Sequence, residues 1–424
     1  MSKQIKLEIA RYNPDMRCWL YSDLQLPAEE PEIRDALQRA RITNEDTPFE
    51  LSIYECQAIP LLPFRRLDTP SIAELNFLAK RLEKLTEDET DVLKAVAPKI
   101  LAKDEYIIIS AKDLINLTYN LDTVTVIPNI HDNRQLGNYV IENKIQGDIS
   151  AIPEESLYLL DANKLGELQR KNDNGVLMNG KYIKAGEYEL PNIYDGEHLP
   201  PEKPYTEYAF KLEITLPPEG DDLHKIESKA EWLTLPTERS NADNLAQRLG
   251  LSKIEDGVYL DFNSSIPQIS ADKLGNMHDF DKLNSLAKMM LDMTPSDQVK
   301  FKAVLASEEP QTIEKILDIA QNLNQYDFSP LVINDAHFFK SYLLRHLDDK
   351  FDPRWLDDIA VRFEGAEMLS LIGGTVTDYG VVSARGGHLY DLIPRYDESE
   401  IINEPTEEKE EPDESPKEQE LGGN

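Results

Sequence analysis

The stretch Ser71–Ala97, SIAELNFLAKRLEKLTEDETDVLKAVA, decides how this chain is read, because Phe280–Leu305, FDKLNSLAKMMLDMTPSDQVKFKAVL, is a second version of it. Aligned from Ile72 without a gap, the later stretch keeps Leu75, Asn76, Leu78, Ala79, Lys80, Thr86, Lys94, Ala95 and Val96. Ordinary composition gives about one or two matches over such a length. The chain therefore contains an internal duplication. Leu75, Leu78, Ala79, Leu82 and Leu85 recur at spacings of three and four, as do Leu283, Leu286, Ala287, Met290 and Met293. That period predicts an amphipathic helical hairpin in each copy. Ser71 with Glu74 and Thr86 with Glu89 fit the S/T-x-x-E capping box, and Thr294-Pro295-x-Asp297 supplies a cap, an N1 proline and an acid. The apolar side of each hairpin serves a core, so any function sits on the polar side.

Working outward, Ile5, Leu7 and Ile9 alternate with polar residues as a half-buried strand does, and the tetrapeptide Lys6–Ile9, KLEI, returns at Lys211–Ile214. Leu26 to Ile53 aligns without gaps to Leu235 to Phe262, with a helix predicted after Pro31 and a strand over Phe49, Leu51 and Ile53. Trp19 and Trp232 correspond if the first copy carries a short insertion. Beyond the hairpin, Ser110 with Asp113 starts a further helix, and Thr123–Ile127 reads as a strand. DNRQLGNYVIEN and NDAHFFKSYLLRHL both read as helices, and NGVLMNGKYI and GGTVTDYGVV read as Gly-punctuated hairpins.

The expected fold class is α+β, a multi-domain chain of two tandem repeats, each with a small α/β domain, a helical hairpin domain and a second α/β domain. The boundaries are 1–65, 66–110 and 111–184 in the first repeat and 207–272, 273–310 and 311–392 in the second. Residues 185–206, rich in Pro, Glu and Tyr, read as a semi-rigid linker, and 393–424 as a disordered acidic tail.

With 79 acidic and 45 basic residues the chain carries a net −34. Twelve of those acids and two lysines lie from Asp397 onward, leaving −24 in the body. Nucleic-acid binding needs clustered Lys and Arg, and here the basic residues are scattered pairs such as Lys80-Arg81, so direct binding of DNA or RNA is disfavoured. No run of eighteen apolar residues exists and the N-terminus lacks a signal-peptide core, which points to a cytoplasmic protein with no membrane span. Cys18 and Cys56 read as free core thiols. Neither HExxH, CxxC, GxxxxGK[ST] nor GxSxG occurs, and His337 near Asp335 and His278 beside Asp279 are the only suggestive pairs. No catalytic residue, metal ligand or cofactor is expected, and the chain is read as a non-enzyme.

In their order along the chain, Ala10-Arg11-Tyr12-Asn13, Trp19, Ile53-Tyr54-Glu55, SIAELNFLAKRL, DNRQLGNYVIEN, EESLYLLDANKLGEL and NGVLMNGKYI resemble the ArdA-type antirestriction proteins of conjugative plasmids and transposons. The likeness covers most of Lys6–Ile183, and the second copy, from about Lys211 to Val382, resembles the family more weakly. None of these motifs is catalytic. The resemblance implies an elongated protein that shows carboxylates where B-DNA shows phosphates, and so occupies the DNA groove of a type I restriction–modification enzyme. The doubling departs from a single-unit family member and implies either an intramolecular pseudo-dimer or a homodimer.

The charge agrees with such mimicry, because Asp and Glu oxygens can stand in for phosphate oxygens toward Arg and Lys. Duplex DNA carries one charge per about 1.7 Å, so the body's net charge matches roughly 40 Å of duplex. The candidate phosphate-like acids are Glu74, Glu83, Glu87, Asp88, Asp91, Asp292 and Asp297 beside the hairpins, with Asp132, Glu142, Glu154 and Glu155 after the first. Any one of them also reads as an ordinary solvated acid, and only the set supports mimicry. The alternative is an acidic interaction module of a mobile element that binds another basic DNA-processing protein.

Overall fold

The computed structural model describes residues 4–14, 18–42, 47–64, 67–68, 71–101, 109–201, 205–217, 230–271, 279–347 and 356–395. The acidic tail from Tyr396 and His278 lie outside them. The chain is α+β and multi-domain, and it divides into two compact units, residues 1–323 and 324–424.

The first unit opens with β1 (Ile5–Asn13), β2 (Cys18–Leu26), α1 (Glu30–Arg39) and β3 (Glu50–Cys56). The strands form an antiparallel sheet with β1 in the middle. Ile5, Leu7 and Ile9 point inward together with Leu20, Leu24 and Leu26, and α1 lays Ala36 against them. Strand β2 is absent from the sequence expectation, although its Leu20, Ser22, Leu24 and Leu26 alternate with exposed Trp19, Tyr21, Asp23 and Gln25. Cys18 and Cys56 are free, and burial pushes the Cys56 thiol up to about 11.

A two-residue parallel pair, β4 (Leu67–Asp68) and β5 (Ile109–Ser110), flanks the hairpin of α2 (Ile72–Lys84) and α3 (Glu87–Leu101). Both expected capping boxes are formed: Ser71 Oγ accepts from Glu74 N–H at 3.1 Å and Thr86 Oγ1 from Glu89 N–H at 3.2 Å. Helix α4 (Ala111–Leu117) starts at Ser110, whose Oγ accepts from Asp113 N–H, and it packs on α2. The helical layer thus continues past residue 110.

Next come β6 (Val126–Pro128), α5 (Asn133–Glu142), α6 (Ala162–Asn172), β7 (Val176–Met178) and β8 (Lys181–Ile183), with strand order β6-β8-β7. The strand expected over Thr123–Ile127 is narrower, because Leu121–Thr123 forms a 3-10 turn first. Asn179 and Gly180, both at positive φ, close the β7–β8 hairpin as a two-residue turn requires.

The same order returns as β9 (Phe210–Thr215), β10 (Glu231–Leu235), α7 (Arg239–Leu249) and β11 (Val258–Ser264), again with the first strand central. Then follow α8 (Phe280–Asp292), α9 (Pro295–Glu308) and α10 (Ile313–Gln321), the last packed on α8. An asparagine, buried as Asn76 and half-buried as Asn284, occupies the same place in both copies. Asn76 clasps the backbone of Ala28 with N–H···Oδ1 at 2.8 Å and Nδ2–H···O at 2.9 Å, and Asn284 clasps Thr237 in the same way at 2.9 Å and 2.9 Å. The tryptophans, by contrast, do not correspond. Trp19 lies opposite Tyr12, whereas Trp232 lies opposite Glu213, the position Asp23 holds opposite Glu8. The two rings stand at different rungs of one ladder, and it is the second copy that is longer here, 21 positions from Ile214 to Leu235 against 17 from Ile9 to Leu26.

The second unit holds β12 (Phe328–Ser329), α11 (Asp335–His346), α12 (Asp358–Leu371), β13 (Thr375–Thr377), β14 (Gly380–Val382) and α13 (Leu389–Leu392), with strand order β12-β14-β13. Its core contains Val332, Phe338, Leu369, Val381, Leu389 and Ile393. Ile393 is therefore a core residue rather than the first residue of a tail.

The segment read as a linker is docked instead. Ala185 and Tyr194 are buried in the first copy's core, with Tyr188 and Leu199 against it. Asn116 Nδ2 donates to Tyr194 O at 2.9 Å, and its Oδ1 accepts from Ile193 and Tyr194 N–H at 2.9 Å each. Tyr188 Oη donates to Leu117 O at 2.9 Å and Tyr194 Oη to Glu74 at 3.1 Å. Burial pushes both phenols up to about 12, with Glu74 adding to the shift at Tyr194. A folded-state pKa above the ordinary value near 10.0 means that this stability is complete below pH 10.0 and is lost as pH rises through about 12. Alkaline titration is expected to show late-ionising tyrosines whose deprotonation coincides with loss of stability, both relieved in part by Tyr194→Phe. A single tyrosine step at the ordinary value would mean that the segment is not docked.

Candidate partner-binding surface

The placement of the eleven candidate acids follows from which of them the fold uses for itself. Glu74 is half-buried in the first turn of α2, where its carboxylate accepts from Ser71 N–H at 3.0 Å and from Tyr194 Oη at 3.1 Å. Asp91 is buried. Its carboxylate takes Lys181 Nζ at 2.8 Å and Asn179 Nδ2 at 2.8 Å, so the β7–β8 turn is anchored on α3 through this acid. An acid in the first turns of a helix reads as a solvated residue, and only the packing of a strand pair 88 to 90 positions later puts it inside. Asp88 stays exposed and shares Lys181 at 2.5 Å, and the hydrogen bonds that Lys181 donates, chiefly the one to Asp88, raise the lysine well above its usual range.

The remaining candidates face solvent. Asp132 caps α5, accepting from Gln135 N–H at 2.8 Å, and Asp297 in the first turn of α9 accepts from Thr294 Oγ1 at 2.9 Å. Glu154 opens a 3-10 turn 3.5 Å from Lys144, a contact between exposed side chains that contributes little. Glu83, Glu87, Glu142, Glu155 and Asp292 are exposed and have no ion-pair or hydrogen-bond partner among the described residues. The structure thus leaves nine of the eleven at the surface and withdraws Glu74 and Asp91.

Several cations are paired with carboxylates of the chain itself, mostly at half-exposed positions. Lys6 binds Glu55 at 2.6 Å, Arg239 binds Glu255 at 2.6 Å, Arg248 binds Glu231 at 2.6 Å, Lys282 binds Glu314 at 2.8 Å and Lys211 binds Glu29 at 2.8 Å. Pairing them against an excess of 79 acids over 45 bases leaves many carboxylates with water alone. No family model and no curated protein matches the chain.

Among the described residues no group of three or more His, Cys, Asp or Glu is placed to hold a metal, and no helix is long and apolar enough to cross a membrane. Burial pushes His337 below its usual pKa, and no hydrogen bond or ion pair joins it to Asp335. What this surface offers is a field of carboxylates able to accept charge-assisted hydrogen bonds from Arg and Lys. The sheets add acids outside the candidate set: Glu8, Asp23 and Glu50 on the first and Glu213 and Asp261 on its counterpart, with Glu8 and Glu213 half-buried. The alternation of β2 is the signal that locates Asp23.

Proposed function

We propose that the protein is an antirestriction protein that occupies the DNA-binding groove of a type I restriction–modification enzyme as an acidic mimic of DNA. The observation that carries this reading is that several cations are paired with carboxylates of the same chain while Glu83, Glu87, Glu142, Glu155 and Asp292 stay exposed and unpaired among the described residues. The resemblance of Lys6–Ile183 to the ArdA-type proteins gives the same target. Catalysis plays no part, and neither metal nor nucleotide is required of this chain. With two copies on one chain, a pseudo-dimer takes the place of two subunits.

Competition for DNA tests it. Purified protein is expected to displace DNA from a susceptible type I enzyme at low salt and to lose that ability as salt rises, because exposed charges are screened over about 10 Å at 0.1 M. Replacing Glu83, Glu87 and Asp292 together by lysine should weaken inhibition by roughly tenfold or more, since each reversal swaps an attraction for a repulsion. Normal cleavage in the presence of saturating protein at low salt sinks the reading for that enzyme.

A further inference from the structure

The outward face of the first sheet carries a combination that phosphate mimicry does not need. Tyr12, Trp19, Tyr21 and Tyr54 are each 42–56 % exposed there, with Tyr12 and Trp19 edge to face at 5.5 Å. Among these rings Glu8 stands directly opposite Asp23 on the neighbouring strand, and Glu50 stands opposite Ala10. Like charges directly across a ladder destabilise a sheet. None of the three carboxylates has a side-chain partner among the described residues, and the face's own lysine, Lys6, is taken by Glu55 at 2.6 Å.

The second copy repeats the combination with different residues. Glu213, the glutamate of the returning KLEI, has Asp261 opposite it on one side and Trp232, 47 % exposed, on the other. Lys211 of this face is likewise withdrawn, bound to Glu29 at 2.8 Å and lying 3.9 Å above the Tyr208 ring. Each sheet thus sets a Glu–Asp pair with no cation beside it next to an exposed aromatic ring, Asp261 taking only the N–H of Phe262 at 2.8 Å.

We propose that these sheet faces are docking surfaces for arginine side chains of a protein partner. The charge complementarity specifies a cation, and the rings specify which one. A guanidinium is planar and weakly hydrated, so it can lie on an aromatic face while its N–H groups reach a carboxylate pair, whereas an ammonium offers no plane to stack. The inference stands apart from the mimicry of DNA: it concerns the sheets rather than the helix ends and holds for any partner that presents arginine.

The test compares arginine and lysine homopeptides of equal length binding to the full chain, followed by calorimetry at fixed ionic strength. The acidic tail and the helical acids attract both peptides by charge, so the difference between them isolates the sheet faces. The arginine peptide is expected to bind about tenfold more tightly. The preference should vanish in the double variant Trp19→Ala, Trp232→Ala with the lysine affinity unchanged. Glu8→Gln with Glu213→Gln, which keeps side-chain size, should weaken the arginine peptide several-fold more than the lysine peptide. Equal affinity of the two peptides for the unmodified chain, or a preference that survives both double variants, overturns the proposal. Inhibition of a type I enzyme by these variants reads separately on the proposed function.

Discussion

Replacing Asp35 by alanine is expected to destabilise the chain by about 3 to 5 kcal/mol, the loss that follows when one partner of a buried ion pair is removed. Asp35 lies on the inner side of α1 with its side chain 6 % exposed, and it receives Arg39 Nε at 3.0 Å and Lys302 Nζ at 2.7 Å. Lys302, on α9 of the second copy, is 3 % exposed and also donates to Gln38 Oε1 at 2.8 Å. Burial pushes its ammonium below the usual range even against the pull of Asp35, so without that carboxylate the charge has too little compensation. Adding Lys302→Met should recover most of the loss, because methionine fills similar volume and brings no charge. Denaturant unfolding followed by tryptophan fluorescence measures both. A cost below about 1 kcal/mol for Asp35→Ala would place the pair in water, where exposed ion pairs are worth that little.

The second large effect is expected from Gly166→Ala, at about 3 kcal/mol or more, beyond the usual cost of overpacking. Helices α5 and α6 approach so closely that a Cβ at Gly166 would sit 1.8 Å from Asn133 O, a backbone atom at the start of α5 that cannot rotate away. The counterpart in the second unit is Gly365 on α12, whose Cβ would meet Asp335 O at 2.0 Å. Hydrogen exchange is expected to show α5 and α6 losing protection in the variant while β1–β3 keep theirs. Unchanged protection of α5 would mean that the helices can part without penalty.

What was legible beforehand divides by range. Ser71, Thr86, Ser110 and Thr294 each bond a backbone N–H three residues on, so sequence alone locates these helix starts. The hairpin at Asn179-Gly180 is equally local, since only residues tolerant of positive φ fit it. Asp91 and Asn116 are different. Their partners lie 88 and 78 positions away, and nothing in their neighbours says that a strand turn or a Pro-rich segment will cover them. The same reason hid Lys302, which aligns with half-buried Lys94, because its burial comes from α1 of the other copy. Of the candidate surface, the acids at helix ends were readable because caps are local. Asp23 was missed because β2 was not recognised as a strand, whereas Glu8 and Glu50 lie on strands that the alternation did predict.

The docking of residues 185–201 changes where this chain can be divided. A joint rich in proline invites a cut at Ile183, on the assumption that each repeat closes its own interior. Here Asn116 would be left with both ends of its amide unanswered, and the cavity that Tyr194 fills would open to water. The core of the first repeat is closed only when it keeps its outgoing strap through Leu199.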